Sequence, residues 1–92
     1  MQIRELSIPD SYEITPKQFG DDRGVFLEWG RFDRLEESIG HKLNVVQANT
    51  SVSKRGSVRG IHFADIPPSQ AKYVTATYGA VLDYIIDIRV GS

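Results

Sequence analysis

Val81-Leu82-Asp83-Tyr84-Ile85-Ile86-Asp87-Ile88-Arg89-Val90 is the stretch on which the fold class turns. Leu82, Tyr84, Ile86, Ile88 and Val90 alternate against Asp83, Ile85, Asp87 and Arg89. A period of two is that of a β-strand with one face turned inward. Working back, residues 72–78 form a second strand candidate, joined to the first at Gly79. Residues 57–63 and 43–52 add two more, separated by the hairpin-like turn Lys54-Arg55-Gly56. In residues 43–52, Val46, Ala48, Thr50 and Val52 share one face, and Val45, Gln47, Asn49 and Ser51 the other. Residues 66–69, with Pro67 and Pro68, read as a loop.

The first half continues the pattern. Residues 12–19 are a strand candidate interrupted by Pro16, which suits an edge. Gly20-Asp21-Asp22-Arg23-Gly24 is a turn, and residues 25–29 form a strand of bulky side chains. One short helix is expected over residues 32–39, because Phe32, Leu35 and Ile39 fall on one helical face and Gly40 follows as a stop. Many short strands with one short helix imply an all-β, antiparallel sandwich or barrel. We read residues 1–92 as a single domain. A sequence that stops at Gly91-Ser92, directly after its best strand, is expected to stop in mid-fold.

Composition narrows the function. Eleven basic against 12 acidic residues give a net charge of -1, without the basic excess of a nucleic-acid binder. Apolar residues at 40% and charged residues at 25% describe a globular chain rather than a disordered one. No apolar run approaches the roughly 18 residues of a membrane-spanning helix. Met1-Gln2-Ile3-Arg4-Glu5 has no apolar signal core, and there is no cysteine. The expectation is a cytoplasmic protein that binds neither nucleic acid nor membrane. A β-domain this small buries a modest share of its surface, so help from a further segment or a second subunit is expected.

Polar residues inside apolar strands are the informative ones. Gln47 and Asn49 leave the same face of their strand. Inside a barrel their amides would need partners, since a buried unpaired amide costs about 1–3 kcal/mol. A polar ligand would supply them. The plainer reading is the solvent face of an edge strand, and spacing alone favours it. In Arg59-Gly60-Ile61-His62-Phe63, strict alternation separates Arg59 from His62, while a bulge at Gly60 would bring both to one side. A histidine, with an ordinary pKa of about 6.5, suits proton abstraction near neutrality. A hydrogen-bonded structural histidine is the commoner case. Lys72 could stabilise a developing oxyanion from inside a barrel, or sit on the surface at a strand end. Asp83 and Asp87 share a face, and either could orient a lysine or histidine or face water. Arg23 and Glu28 flank residues 25–27, and an arginine can grip a diphosphate through paired donors, although a turn arginine is usually a surface one. His41 and His62 lie 21 positions apart with no His-x-His pair, so a metal site is hard to assemble. No glycine-rich phosphate loop is present.

Five blocks together resemble the dTDP-4-dehydrorhamnose 3,5-epimerases. They are Phe19-Gly20-Asp21-Asp22-Arg23-Gly24-Val25-Phe26-Leu27-Glu28, Gln47-Ala48-Asn49-Thr50-Ser51, Arg59-Gly60-Ile61-His62-Phe63, Gln70-Ala71-Lys72-Tyr73-Val74, and Ala80-Val81-Leu82-Asp83 with Asp87-Ile88-Arg89. They stand in the family's order and spacing. The resemblance implies a cupin-type antiparallel jelly roll, partial here because the family's chains are about twice as long. It implies a homodimer that needs no metal or other cofactor, and a dTDP-4-keto-6-deoxy sugar as substrate. It implies His62 as the base that removes the sugar proton and Lys72 as the group that stabilises the enolate oxygen. Arg59, Gln47 and Asn49 would hold the substrate, and Arg23 and Glu28 would contact the nucleotide; outside the resemblance, Asp83 stays a candidate supporting carboxylate. The family's reprotonating tyrosine and the histidine's carboxylate partner lie beyond position 92, and Tyr73, Tyr78 and Tyr84 do not occupy that tyrosine's motif. Ser57-Val58 stands where the family commonly has an apolar pair. A 3-epimerase, a 5-epimerase or a ketoisomerase on a related dTDP-sugar shares the same half-site. An inactive cupin fragment that binds sugar nucleotide or dimerises is the alternative from another class.

Overall fold

Four short strands and one helix, all within the first 40 residues, make up the regular structure of the computed structural model, which describes residues 1–65 and 70–92. β1 (Gln2–Glu5) pairs antiparallel with β2 (Tyr12–Thr15). Ile3 lies opposite Ile14, and Arg4 opposite Glu13, whose side chains meet at 3.1 Å. The loop between the strands is closed by Leu6 N–H donating to the Ser11 carbonyl at 2.8 Å and by the Ser11 hydroxyl donating to the Ile8 carbonyl at 2.7 Å. Asp10 takes φ 69° in this loop, a left-handed conformation that aspartate tolerates better than most residues.

β3 (Gln18–Asp21) pairs antiparallel with β4 (Gly24–Leu27), with Phe19 opposite Phe26. Only Asp22 and Arg23 connect the two strands, so the expected five-residue turn is tighter than its sequence suggests. The expected strand over residues 12–19 is divided. Pro16 has no N–H to give a ladder, so β2 ends at Thr15 and β3 begins at Gln18.

Helix α1 (Phe32–Ile39) has the expected bounds. Gly40 ends it at φ 83°, and its N–H donates to the Glu36 carbonyl at 2.9 Å. A left-handed cap of this kind is open to glycine at no steric cost. Leu35, on the apolar stripe, is 4% exposed and is the one buried large apolar residue among those described.

The strands expected over residues 43–52, 57–63, 72–78 and 81–90 do not form among the described residues. Their alternation is intact but their backbone is unpaired. Val58 and Tyr78 are almost fully exposed, and most of the other apolar side chains of these segments are exposed too. Alternation fixes which face a side chain takes but does not name the partner strand. The two hairpins that form close over short loops, but a short connection does not suffice, since residues 43–52 and 57–63 flank one and stay unpaired. The turn at Lys54 does form, with Ser57 N–H donating to the Lys54 carbonyl at 3.1 Å. The expected loop at residues 66–69 lies outside the described residues.

The openness is measurable. Accessible surface is 8998 Å², against about 5,400 Å² for a compact chain of this mass. The radius of gyration is 15.3 Å, against about 12 Å for a compact domain of this length.

Among the described residues, two side-chain ties join residues 41–92 to the ordered first 40. One is the Tyr73 contact described below. The other is Arg89, which holds Asp87 through Nε and Nη2 at 3.0 Å each. The same guanidinium donates to Asp10 Oδ2 at 3.0 Å and to the Pro9 carbonyl at 2.9 Å. The Arg89 guanidinium, and then its backbone N–H, hold the Asp87 carboxyl below the usual range, while the two carboxylates raise Arg89.

Two outcomes are expected. The 92-residue chain in isolation associates with itself, because long runs of apolar side chains and unpaired strand edges face water; sedimentation velocity showing a monomer at all concentrations would contradict this. Because Asp87 is depressed when folded, its ionised partnership is complete above the ordinary carboxylate pKa of about 3.9 and is lost as pH falls through the lower folded value. Carbon-detected NMR titration of Asp87 will give a midpoint below the ordinary value, and Arg89→Ala will move it up towards about 3.9.

Candidate active site

The β3–β4 hairpin carries Arg23 at its tip. The Asp21 carboxylate accepts the Arg23 backbone N–H and its Nη2, each at 2.8 Å. This pairing, the side-chain bond first, holds Asp21 below the usual carboxylate range. The guanidinium stays almost fully exposed while its base is fixed. Behind it, Phe19 and Phe26 stand opposite each other across the ladder, both exposed, and Lys17 Nζ lies 5.1 Å from the Phe19 ring centre. Cross-strand aromatic pairs contribute roughly 0.2–1 kcal/mol. The hairpin therefore carries exposed aromatic surface on its ladder and forked cationic donors at its tip, groups of the kind that hold a ring and an anion.

Glu28 follows β4 directly. It lies 3.5 Å from Arg31 Nη1, and Arg31 also holds Asp33 through Nε at 2.9 Å. The Arg31 guanidinium, with the Arg34 N–H, keeps Asp33 low, and Asp33 followed by Glu28 raises Arg31. Glu28 is thus oriented by the residue that opens α1.

The remaining residues expected at the site are more scattered. Gln47, Asn49, Arg59, His62, Lys72 and Asp83 are all exposed, and none has a side-chain hydrogen bond or ion pair among the described residues. The structure does not gather them. Two open surface grooves among the described residues are lined elsewhere: one by Met1, Ile3, Arg31, Arg34 and their neighbours, the other by Ser7 to Pro9 with Asp87 and Arg89 to Ser92. Among the described residues no three His, Cys, Asp or Glu side chains gather into a metal-binding group. No helix is long and apolar enough there to cross a membrane.

One contact does join two parts of the expected site. The Tyr73 ring stacks on Trp29, centres 5.9 Å apart at 30°, and meets Phe32 edge-on at 5.5 Å and 73°. Its hydroxyl donates to the Trp29 carbonyl. Burial pushes the phenol above its ordinary value, which keeps it protonated and a donor. Lys72 precedes Tyr73, and Glu28 precedes Trp29. Strand alternation gave no reason to single out Tyr73. The bulky pair Trp29 and Phe32, flanking the start of α1, was the available signal that something aromatic must cover that corner.

A statistical model described as dTDP-4-dehydrorhamnose 3,5-epimerase matches residues 5–92. The chain belongs to that epimerase family. This family member is 59% identical, over all 92 residues, to a dTDP-4-dehydrorhamnose 3-epimerase of Streptomyces niveus, covering 44% of that protein. It is 55% identical over its whole length to a dTDP-4-dehydrorhamnose 3,5-epimerase of Mycolicibacterium smegmatis, covering 46% of it. It thus spans about half the length of the curated relatives it matches. Among solved structures it resembles a 4-keto-6-deoxy sugar epimerase from the novobiocin gene cluster of Streptomyces spheroides. That match has a TM-score of 0.71 and 57% identity, over 74% of this chain and 34% of the other. The rmlC epimerase of Mycobacterium tuberculosis matches at TM-score 0.69 and 48% identity, over 75% and 34%. The epimerase-family chain therefore has the all-β, cupin-type jelly-roll fold in part, with one short helix, although strands beyond residue 40 are unpaired.

The aromatic corner is expected to contribute to stability. Phe32→Leu removes the edge-on contact and will cost about 0.5–1.5 kcal/mol beyond its area term, read from urea melts.

Proposed function

We propose that the protein epimerises a dTDP-4-keto-6-deoxy sugar, converting dTDP-4-dehydro-6-deoxyglucose to dTDP-4-dehydro-L-rhamnose by inversion at C3 and C5. The observation that carries this reading is the family match over residues 5–92, in a chain that retains His62 and Lys72 in their motifs. C3 and C5 both flank the C4 ketone, so the proton on each can leave as an enolate forms. The neutral imidazole of His62 takes the proton, and the electron pair of the broken C–H bond moves through the new C=C bond onto the C4 oxygen. The Lys72 ammonium stabilises that oxyanion. A separate acid on the opposite face of the ring then gives a proton to the carbon, the C=C electron pair forms the new C–H bond as the C4 ketone returns, and the centre is inverted. Arg59, Gln47 and Asn49 hold the sugar, and Asp83 is a supporting carboxylate. Arg23 and Glu28 grip the nucleotide portion, a role supported by the exposed Arg23 guanidinium at the tip of a hairpin that also carries the exposed Phe19–Phe26 pair. None of these steps calls for a metal or other cofactor. We read the working unit as a homodimer, supported by the apolar surface left open on residues 43–90.

A second reading, inversion at C3 alone, is favoured by the 3-epimerase of Streptomyces niveus among the relatives. Deuterium uptake from D2O by the full-length protein separates the two, since C3 and C5 both exchange in the first and only C3 in the second. His62→Ala is expected to lower exchange by about 10²–10⁴-fold. Lys72→Met should lower it by about 10²–10³-fold. Exchange undiminished in His62→Ala would remove His62 as the base.

A further inference from the structure

Lys72 lies in a part of the chain with no regular element, yet a group that stabilises a transition state must be held within a fraction of an ångström. Among residues 70–77 every side chain is exposed except that of Tyr73. Three contacts of different kinds fix this ring. Stacking on Trp29 sets its plane, the Phe32 edge sets its rotation, and the hydroxyl bond to the Trp29 carbonyl sets its depth. All three partners belong to the corner between β4 and α1, two elements that are formed. The Cα of Lys72 is about 3.8 Å from that of Tyr73 across one trans peptide, so a fixed Tyr73 backbone limits where the lysine stem starts. The same corner carries Glu28, one residue before Trp29.

We propose that Tyr73 is a positioning residue for Lys72: its aromatic and hydrogen-bonded seat on Trp29 and Phe32 sets the distance between the enolate-stabilising ammonium and the nucleotide-gripping corner. This rests on the reading of Lys72 as the oxyanion's partner. Tyr73 touches no substrate and transfers no proton. Its hydroxyl is spent on the Trp29 carbonyl. Loss of the hydroxyl should leave substrate affinity alone, because Arg23 and Glu28 sit on the hairpin and corner that remain formed. It should slow the chemical step by letting the ammonium wander.

The test is a double-mutant cycle in the full-length protein, read by deuterium uptake at the sugar carbons and by KM for the dTDP-sugar. Tyr73→Phe keeps the ring and is expected to lower kcat about 10-fold to 100-fold, as a displacement near 1 Å would, with KM within about twofold. In a Lys72→Met background the same change should have almost no further effect, because its target is gone. Phe32→Leu run through the same cycle should behave alike and serves if Tyr73→Phe does not fold. Equal proportional losses with and without Lys72 would mean that Tyr73 only holds the fold, and would overturn the proposal. An unchanged kcat in Tyr73→Phe would overturn it too. Lys72→Met with undiminished exchange would instead sink the reading of Lys72 itself.

Discussion

Each backbone N–H and C=O of a β-strand needs a partner, and in this chain the strands that find one are those within a short loop of each other. β1 and β2 are joined by six residues, and β3 and β4 by two. Those hairpins close at little entropic cost. Residues 43–52, 57–63, 72–78 and 81–90 have the side-chain pattern of strands without the ladder, so their order is set by side-chain ties. Tyr73 on the aromatic corner and Arg89 on the first loop are those ties among the described residues. Their chemistry differs. The first is largely apolar and insensitive to salt, and the second is a half-exposed ionic fork that salt and acid weaken.

The regular elements were legible to the extent that their cause was local. Helix α1 could be read because Phe32, Leu35 and Ile39 define its face and Gly40 its end. The β3–β4 hairpin announced itself through glycines around a polar turn flanked by bulky residues. β1 was not visible, because Gln2-Ile3-Arg4-Glu5 offers a single apolar residue and depends on β2 for its existence. For residues 81–90 the alternation was plain and the strand still did not form, although the candidate at residues 72–78 is only a short turn away, so alternation alone does not make a ladder.

The site was legible as chemistry rather than as geometry. A histidine, a lysine and polar amides set in apolar segments are unusual enough to be noticed, and the family motifs gave them roles. The structure leaves these residues scattered, and no local pattern encodes what would gather them. Tyr73 illustrates the point. It looks like one more strand aromatic until Trp29 and Phe32, about 40 residues earlier, are seen around it.

The unequal tethering of the two groups proposed to react follows from that one anchor. The Lys72 ammonium hangs one residue from a pinned ring, while the His62 imidazole lies eleven residues upstream of that ring and makes no side-chain tie among the described residues. On the proposed roles, bringing them together is a lopsided event, with the lysine as a fixed landmark. Most of the configurational freedom surrendered on assembling the pair belongs to the stretch between Gly40 and Lys72. A stiffer backbone there would speed the encounter more than any change near the landmark.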